Sequence, residues 1–237
     1  MSVTSHAISQ IKQLIMSGEI SPGEKLPKES ELAMKLGVSR SSLREAVRAL
    51  TALGVLDARQ GDGTYVTSLE PYLLLKGTRF VVELLEKETL LELLMVRRLL
   101  EPGATALAAA RISDFDLSRL RECLRRMDSA STQEELVEAD EEFHSIIVNA
   151  SGRPTLAALV KSFTSRTFRA RIWRGLTDEE AVEQSRRAHN SIYRAIERRD
   201  PELAHAAATQ HIAEVESWFQ SKFESSGSVA EMNGGIA

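Results

Sequence analysis

The spacing of apolar residues changes once along this chain, and the change divides it. Ile8, Ile11 and Ile15 recur at helical spacing, and Gly18 with the turn Ser21-Pro22-Gly23 ends that helix. A second short helix is predicted from Glu29 to Leu36, with Leu32 and Ala33 turned inward and Gly37 closing it. Ser39 is a suitable N-cap for a third helix, predicted to run to Leu53 and to stop at Gly54. Residues 55–58 and 64–67 then alternate as two short strands. Gln60-Gly61-Asp62-Gly63 joins them, and Asp62-Gly63 is the hairpin signal.

Three helices followed by a hairpin is the layout of a winged helix-turn-helix, expected over residues 1–68. Beyond Ser68 the period is helical almost throughout, and Glu70-Pro71 marks the change. Residues 69–89 are expected to form a linker or connecting helix, and residues 90–224 an all-helical bundle of about six or seven helices. Breaks are predicted near Lys87 to Thr89, Ser113-Asp114, Ser129 to Thr132, Gly152 to Pro154, Gly175 to Asp178 and Asp200-Pro201. Pro102 falls in a helical run, where it either kinks the helix or sits near its start. The Gly/Ser-rich residues 225–237 are expected to be disordered. The fold class is therefore mainly α, with one small β-hairpin.

Composition agrees: only 5% of the 237 residues are aromatic, while Ala, Leu, Glu and Arg dominate. Up to Ser68 there are eight Lys/Arg against seven Asp/Glu, and beyond it 22 against 27. Any nucleic-acid contact must then come from local placement of charge rather than from a generally basic surface. The single Cys123 rules out an intrachain disulfide and fits a reducing compartment. No signal peptide opens the chain and no apolar run reaches bilayer length, so a soluble, cytoplasmic protein with no membrane partner is expected.

On the helix after Ser39, Leu43, Ala46, Val47 and Leu50 form one stripe. Arg40, Arg44 and Arg48 recur on a separate face, with Ser41 alongside. An apolar stripe anchors such a helix while its arginines look outward. Arginine forks two hydrogen bonds to guanine or to phosphate, and the N-terminal residues of a reading helix, here Arg40, Ser41, Ser42 and Arg44, reach base edges. A merely solvated basic face is the alternative, and the preceding helix, the Gly37 turn and the hairpin in register weigh against it.

Residues 8–67 resemble the DNA-binding domain of the GntR family of bacterial transcription regulators. The resemblance is carried by Pro22-Gly23, Leu26-Pro27, Glu31-Leu32-Ala33, Leu36-Gly37-Val38-Ser39-Arg40, Leu43-Arg44-Glu45-Ala46 and Gly61-Asp62-Gly63-Thr64. It implies that Arg40 and Arg44 contact bases or backbone, that Ser41 and Ser42 contact phosphates, and that the wing around Gly61 enters the minor groove. Two positions depart from the family pattern. Lys28 stands where a small cap residue is common, and Ser30 where an arginine touches DNA. Lys28 is positioned to replace the missing charge; the contact at Ser30 is put in question.

The second constellation lies in the bundle. On the helix through 133–150, Asp140 and His144 share the face of Leu136, Phe143 and Ile147. On the helix through 178–199, His189 sits among Val182, Ser185, Ile192 and Ile196. On the helix through 201–222, His211 lies in a stripe read as Leu203, Ala207, Val215 and Trp218. Burying these four polar groups unpaired is costly, and a divalent metal (Zn²⁺ foremost, Ni²⁺ or Mn²⁺ as alternatives) satisfies them together. His205 and His6 fall off the inward stripes and serve as controls.

Residues from about 90 to 222 resemble the all-helical FCD effector domain of the FadR subgroup, through Val96-Arg97-Arg98-Leu99-Leu100-Glu101, Asp140, Phe143-His144, Ala150-Ser151-Gly152, Ala188-His189, Ile192 and His211. The resemblance implies that Asp140, His144, His189 and His211 hold the ion and that a small carboxylate effector completes its coordination. Arg153 and Arg199 replace a common Asn and Gly at helix ends. Arg97 is the candidate for gripping the effector carboxylate through two parallel hydrogen bonds. Periodicity does not separate it from Arg98, and a salt bridge to Glu101 is the competing role. Arg169, Arg171 and Asn190 are further pocket candidates.

The leading expectation is a homodimeric repressor, responsive to a small organic acid, that reads a near-palindromic operator in double-stranded DNA. A metal-dependent hydrolase fused to a DNA-binding module is the rival, since an open His/Asp site also activates water. No general base stands out beside the ligands: Glu141 and Glu142 face elsewhere on their helix. A purely structural ion is the third reading.

Overall fold

The computed structural model describes residues 3–75, 77, 89–164 and 179–226. The chain divides into two compact units, residues 1–80 and 81–237.

In the first unit, α1 (Val3–Met16), α2 (Glu29–Leu36) and α3 (Arg40–Ala52) precede β1 (Leu56–Arg59) and β2 (Gly63–Val66). The helix boundaries follow local capping chemistry. Gly37 adopts φ 65° and returns its N–H to Ala33 and Met34, a left-handed close that suits glycine. The Ser39 hydroxyl accepts from the Ser42 N–H at 3.1 Å and starts α3. Lys28 stands at the N-cap of α2 and makes no side-chain cap bond, so the departure there leaves that helix uncapped.

The strands pair antiparallel with Leu56 opposite Val66 and Arg59 opposite Gly63. They begin one residue later and one residue earlier than the alternation predicts. A feature invisible to that alternation adds to them: Leu26 N–H donates to Thr64 O at 2.8 Å and Val66 N–H to Glu24 O at 2.9 Å. The turn segment 23–26 thus lines the outer edge of β2. Ala7, Ile11, Leu32, Leu43, Leu50 and Leu56 close the core beneath.

A four-residue helix, α4 (Pro71–Leu74), follows the wing within the segment expected to connect the domains. Gly54 has φ +73°, and a Cβ built on it lies 2.4 Å from the carbonyl oxygen of Leu73. Gly54→Ala meets both an unfavourable backbone region and a backbone clash. It is expected to cost about 2 kcal/mol or more in urea unfolding of the full chain; an unchanged midpoint would contradict this packing.

The second unit holds α5 (Thr89–Ala109), α6 (Asp114–Ser129), α7 (Gln133–Ala150), a helical run at 154–164 termed α8, α9 (Glu179–Glu197) and α10 (Pro201–Ser226). Thr132 and Glu135 form a reciprocal capping box at the start of α7. Pro102 lies buried in the interior of α5, not at its start. Helix α10 packs along α5 and against α9, while α6 packs on α7. Cys123, Leu120, Phe143, Ile147, Ile192 and Ile196 meet in the main core. Burial pushes the Cys123 thiol up to about 11, so it is an inert core residue.

Two expectations change here. The inward stripe of α10 is Ala204, Ala208, His211, Ile212, Val215 and Phe219, whereas Leu203 is exposed. Ser225 and Ser226, assigned to the disordered tail, close α10 as helix. Residues 227–237, like the predicted break at 175–178 and the candidates Arg169 and Arg171, lie outside the described residues.

Candidate functional site

The first site is a face of α3. Leu43, Ala46 and Leu50 are buried, and Val47 is half-buried against the same core. Arg40, Ser41, Arg44 and Arg48 are exposed and Ser42 is half-buried. The face is organised before any ligand arrives. The Ser39 hydroxyl lies 2.9 Å from those of both Ser41 and Ser42. Arg44 donates its Nε–H to Glu29 Oε2 at 3.1 Å across the turn, through two half-exposed side chains. Such a pair contributes little to stability, about 0–1 kcal/mol, so Arg44 is free to exchange Glu29 for another acceptor.

The wing tip is similarly ordered. Gly61 is exposed with φ 77°. Asp62 accepts from Tyr65 at 2.9 Å and from Lys25 at 3.1 Å, and these bonds hold its carboxyl below the ordinary range. The Arg59 guanidinium lies 4.2 Å from the Tyr65 ring centre. Lys28 is exposed beside this surface in sequence, on the N-terminal side of α2.

The second site is inside the bundle. Helix α7 supplies Asp140 and His144, α9 supplies His189 and α10 supplies His211. Asp140 Oδ1 lies 3.1 Å from His189 Nε2 and 3.7 Å from His144 Nε2. The Nε2 atoms of His144 and His189 are 3.2 Å apart. One nitrogen from each of His144, His189 and His211 falls within 4.8 Å of the others. The His144 and His211 rings stack at 5.4 Å, and Phe143 presents its ring to both His144 and His189.

The donor set fits a divalent cation. Among the described residues, His211 Nε2 and His189 Nδ1 are buried with no hydrogen-bond partner, which is costly for imidazole nitrogens in an apolar core. Burial, reinforced by His189 and His144, holds His211 well below its ordinary pKa. It is therefore neutral near pH 7, the form that ligates metal. His6, in the first unit, and His205, on α10, are both exposed.

Arg97 and Arg98 differ in burial, and the competing salt bridge of Arg97 to Glu101 is present. Arg97 is 2% exposed and grips Glu101 with two bonds, Nε to Oε1 at 2.5 Å and Nη2 to Oε2 at 3.1 Å. Burial opposes its charge, but the attraction and hydrogen bonds of Glu101 outweigh it and raise its pKa. Arg98 points outward to Glu216 at 3.3 Å. Glu101 Oε2 is in turn 4.0 Å from His144 Nδ1, so this pair stands directly behind the histidines. Asn190 donates to the Arg186 carbonyl of its own helix at 3.0 Å. Glu142 is held by Arg126 at 2.6 Å and Arg119 at 3.2 Å, and Glu141 is exposed.

A cavity of about 50 Å³ opens on the cluster, lined by Asp140, His189, His211, Gln133, Ser185 and Arg186 together with apolar side chains. Arg186 was not anticipated, although it precedes His189 by three residues and so shares its helix face.

Comparison with known proteins covers both units. Residues 3–66 match the family described as bacterial regulatory proteins, gntR family, and residues 92–214 match the FCD domain. The chain is 35% identical to the HTH-type transcriptional regulator LutR of Bacillus subtilis, over 89% of this chain and 98% of that one. This protein belongs to the GntR family and carries an FCD domain. It is 31% identical to the Glc operon transcriptional activator of Escherichia coli K12, over 86% of this chain and 84% of the relative. It is 28% identical to the galactonate operon transcriptional repressor of the same strain, over 89% and 93%. A solved Streptococcus agalactiae GntR superposes with TM-score 0.66 at 31% identity, covering 91% of this chain and 99% of that one.

This GntR-family member is thus a ligand-responsive, DNA-binding transcriptional regulator and not an enzyme. Among the described residues no helix is long and apolar enough to cross a membrane.

Proposed function

We infer that this regulator is a homodimeric repressor whose FCD bundle binds one divalent cation, Zn²⁺ foremost, and a small carboxylate effector. The observation that carries the reading is the meeting of Asp140, His144, His189 and His211 beside a cavity, with two buried imidazole nitrogens lacking hydrogen-bond partners among the described residues. When bound, the cation would give the effector carboxylate its point of attachment. Arg97 meets that carboxylate by releasing one of its two Glu101 bonds, and Glu101 keeps the His144 side of the site oriented.

Arg40, Ser41, Ser42, Arg44 and Arg48 read and clamp each half of a near-palindromic operator, with Lys28 and the wing at Gly61 as flanking contacts. Repression is the simpler sign, because a protein seated on its operator excludes others by volume alone. The effector acts by binding one of two protein arrangements more tightly.

The test is calorimetry of metal-loaded and chelator-stripped full-length protein with acetate, glycolate, propionate and malonate. The loaded protein is expected to bind one or more of these acids without consuming it, and the stripped protein at least about tenfold more weakly. Loss of metal is also expected to lower Tm by several degrees, since the ion binds the folded state. Equal acid affinity with and without metal would contradict the reading.

A further inference from the structure

The cavity beside the histidine cluster has two kinds of polar lining. One is Asp140, His189 and His211, already assigned to the cation. The other is Arg186, on α9 one turn before His189. Among the described residues its guanidinium makes one hydrogen bond, Nη2 to the Met127 carbonyl at 3.1 Å, and the side chain is 33% exposed. Its Nε is buried and, among the described residues, has no hydrogen-bond partner. The nearest carboxylate oxygen, on the largely exposed Asp128, is 4.0 Å from that nitrogen, beyond hydrogen-bond length. An arginine N–H buried without an acceptor is costly, and a ligand oxygen would relieve that cost. Arg97 differs: both arms of its fork are engaged by Glu101.

The cavity also limits what reaches Arg186. Its volume of about 50 Å³ holds roughly four water-sized groups. Met127, Leu136, Val137, Ala181, Val182 and Val215 supply most of the wall and suit a short carbon skeleton.

We propose that Arg186 is a second effector anchor, donating its Nε–H to the second oxygen-bearing group of a short bifunctional acid whose carboxylate meets the histidine cluster. The ligand class is an acid of about two or three carbons carrying a hydroxyl, oxo or second carboxylate group. This rests on the bundle being an effector site. Arg186 then sets specificity: it discriminates such acids from simple alkanoates, because an alkanoate leaves the Nε–H unpaired.

Two matched pairs test it: acetate against glycolate, and propionate against malonate, titrated calorimetrically into metal-loaded full-length protein. The wild type is expected to bind the bifunctional member of a pair at least about tenfold more tightly. In Arg186→Gln that advantage falls to within about twofold, while metal content and acetate or propionate affinity are retained. Arg186→Lys, which keeps a cation, is expected to retain part of the advantage and carries the comparison if the glutamine variant loses metal. An undiminished advantage in both variants overturns the role of Arg186 and leaves the effector reading standing. Failure of all four acids to bind the wild type overturns both.

Discussion

Arg44→Ala abolishes specific operator binding while leaving metal content unchanged. The expectation follows from the division of α3 into two faces. Leu43, Ala46 and Leu50 are buried and fix the helix, so truncating the exposed Arg44 removes no core contact. What it removes inside the protein is the half-exposed pair with Glu29, worth at most about 1 kcal/mol. What it removes at DNA is a fork able to grip guanine or phosphate, worth about 1–3 kcal/mol in each half-site. In the proposed dimer two half-sites square the loss, giving roughly 30-fold to 20,000-fold weaker specific binding. Fluorescence anisotropy with a selected operator and a scrambled duplex separates the terms. Specific affinity falls toward the non-specific level; retained operator affinity would refute the assignment of the reading face.

His189→Ala is expected to empty the metal site and lower Tm together. His189 is the junction of the cluster: its Nε2 lies 3.1 Å from Asp140 and 3.2 Å from His144, and it stands between the Phe143 and His211 rings. Its removal leaves at most three ligands, and affinity is expected to fall by two orders of magnitude or more, about 3 kcal/mol. Elemental analysis of the purified variant reads occupancy directly. His205→Ala is the control, since that side chain is exposed on α10; its metal content is expected to match the wild type. Unchanged stoichiometry in His189→Ala would remove His189 from the site.

How much of this was legible in the sequence differs by region, for physical reasons. Helix ends in the first unit follow from capping at Ser39 and Gly37, which involves neighbouring residues alone. The strand limits shifted because their register depends on non-local bonds, notably those of residues 24 and 26 to β2. The cluster of Asp140, His144, His189 and His211 was legible because each residue lies on an amphipathic face. The stripe of α10 was read correctly at His211 and Val215 but began at the exposed Leu203 in place of Ala204, because that helix is rich in alanine and small residues satisfy either face. Arg97 and Arg98 straddle the inward edge of α5, and burial of the one and exposure of the other is a property of the packed helix. Arg186 was passed over because arginine reads as surface, whereas here its stem lines a cavity and its Nε is enclosed.

The measurement that bears most directly on the account is operator affinity of metal-loaded protein, with and without a saturating acid that calorimetry has shown to bind, in the wild type and in His189→Ala. The account predicts a shift of at least about fivefold in the wild type, within the ordinary range of allosteric coupling, and none in the variant. An acid that saturates the wild-type bundle yet leaves operator affinity unchanged, or a shift that persists undiminished in His189→Ala, would contradict it.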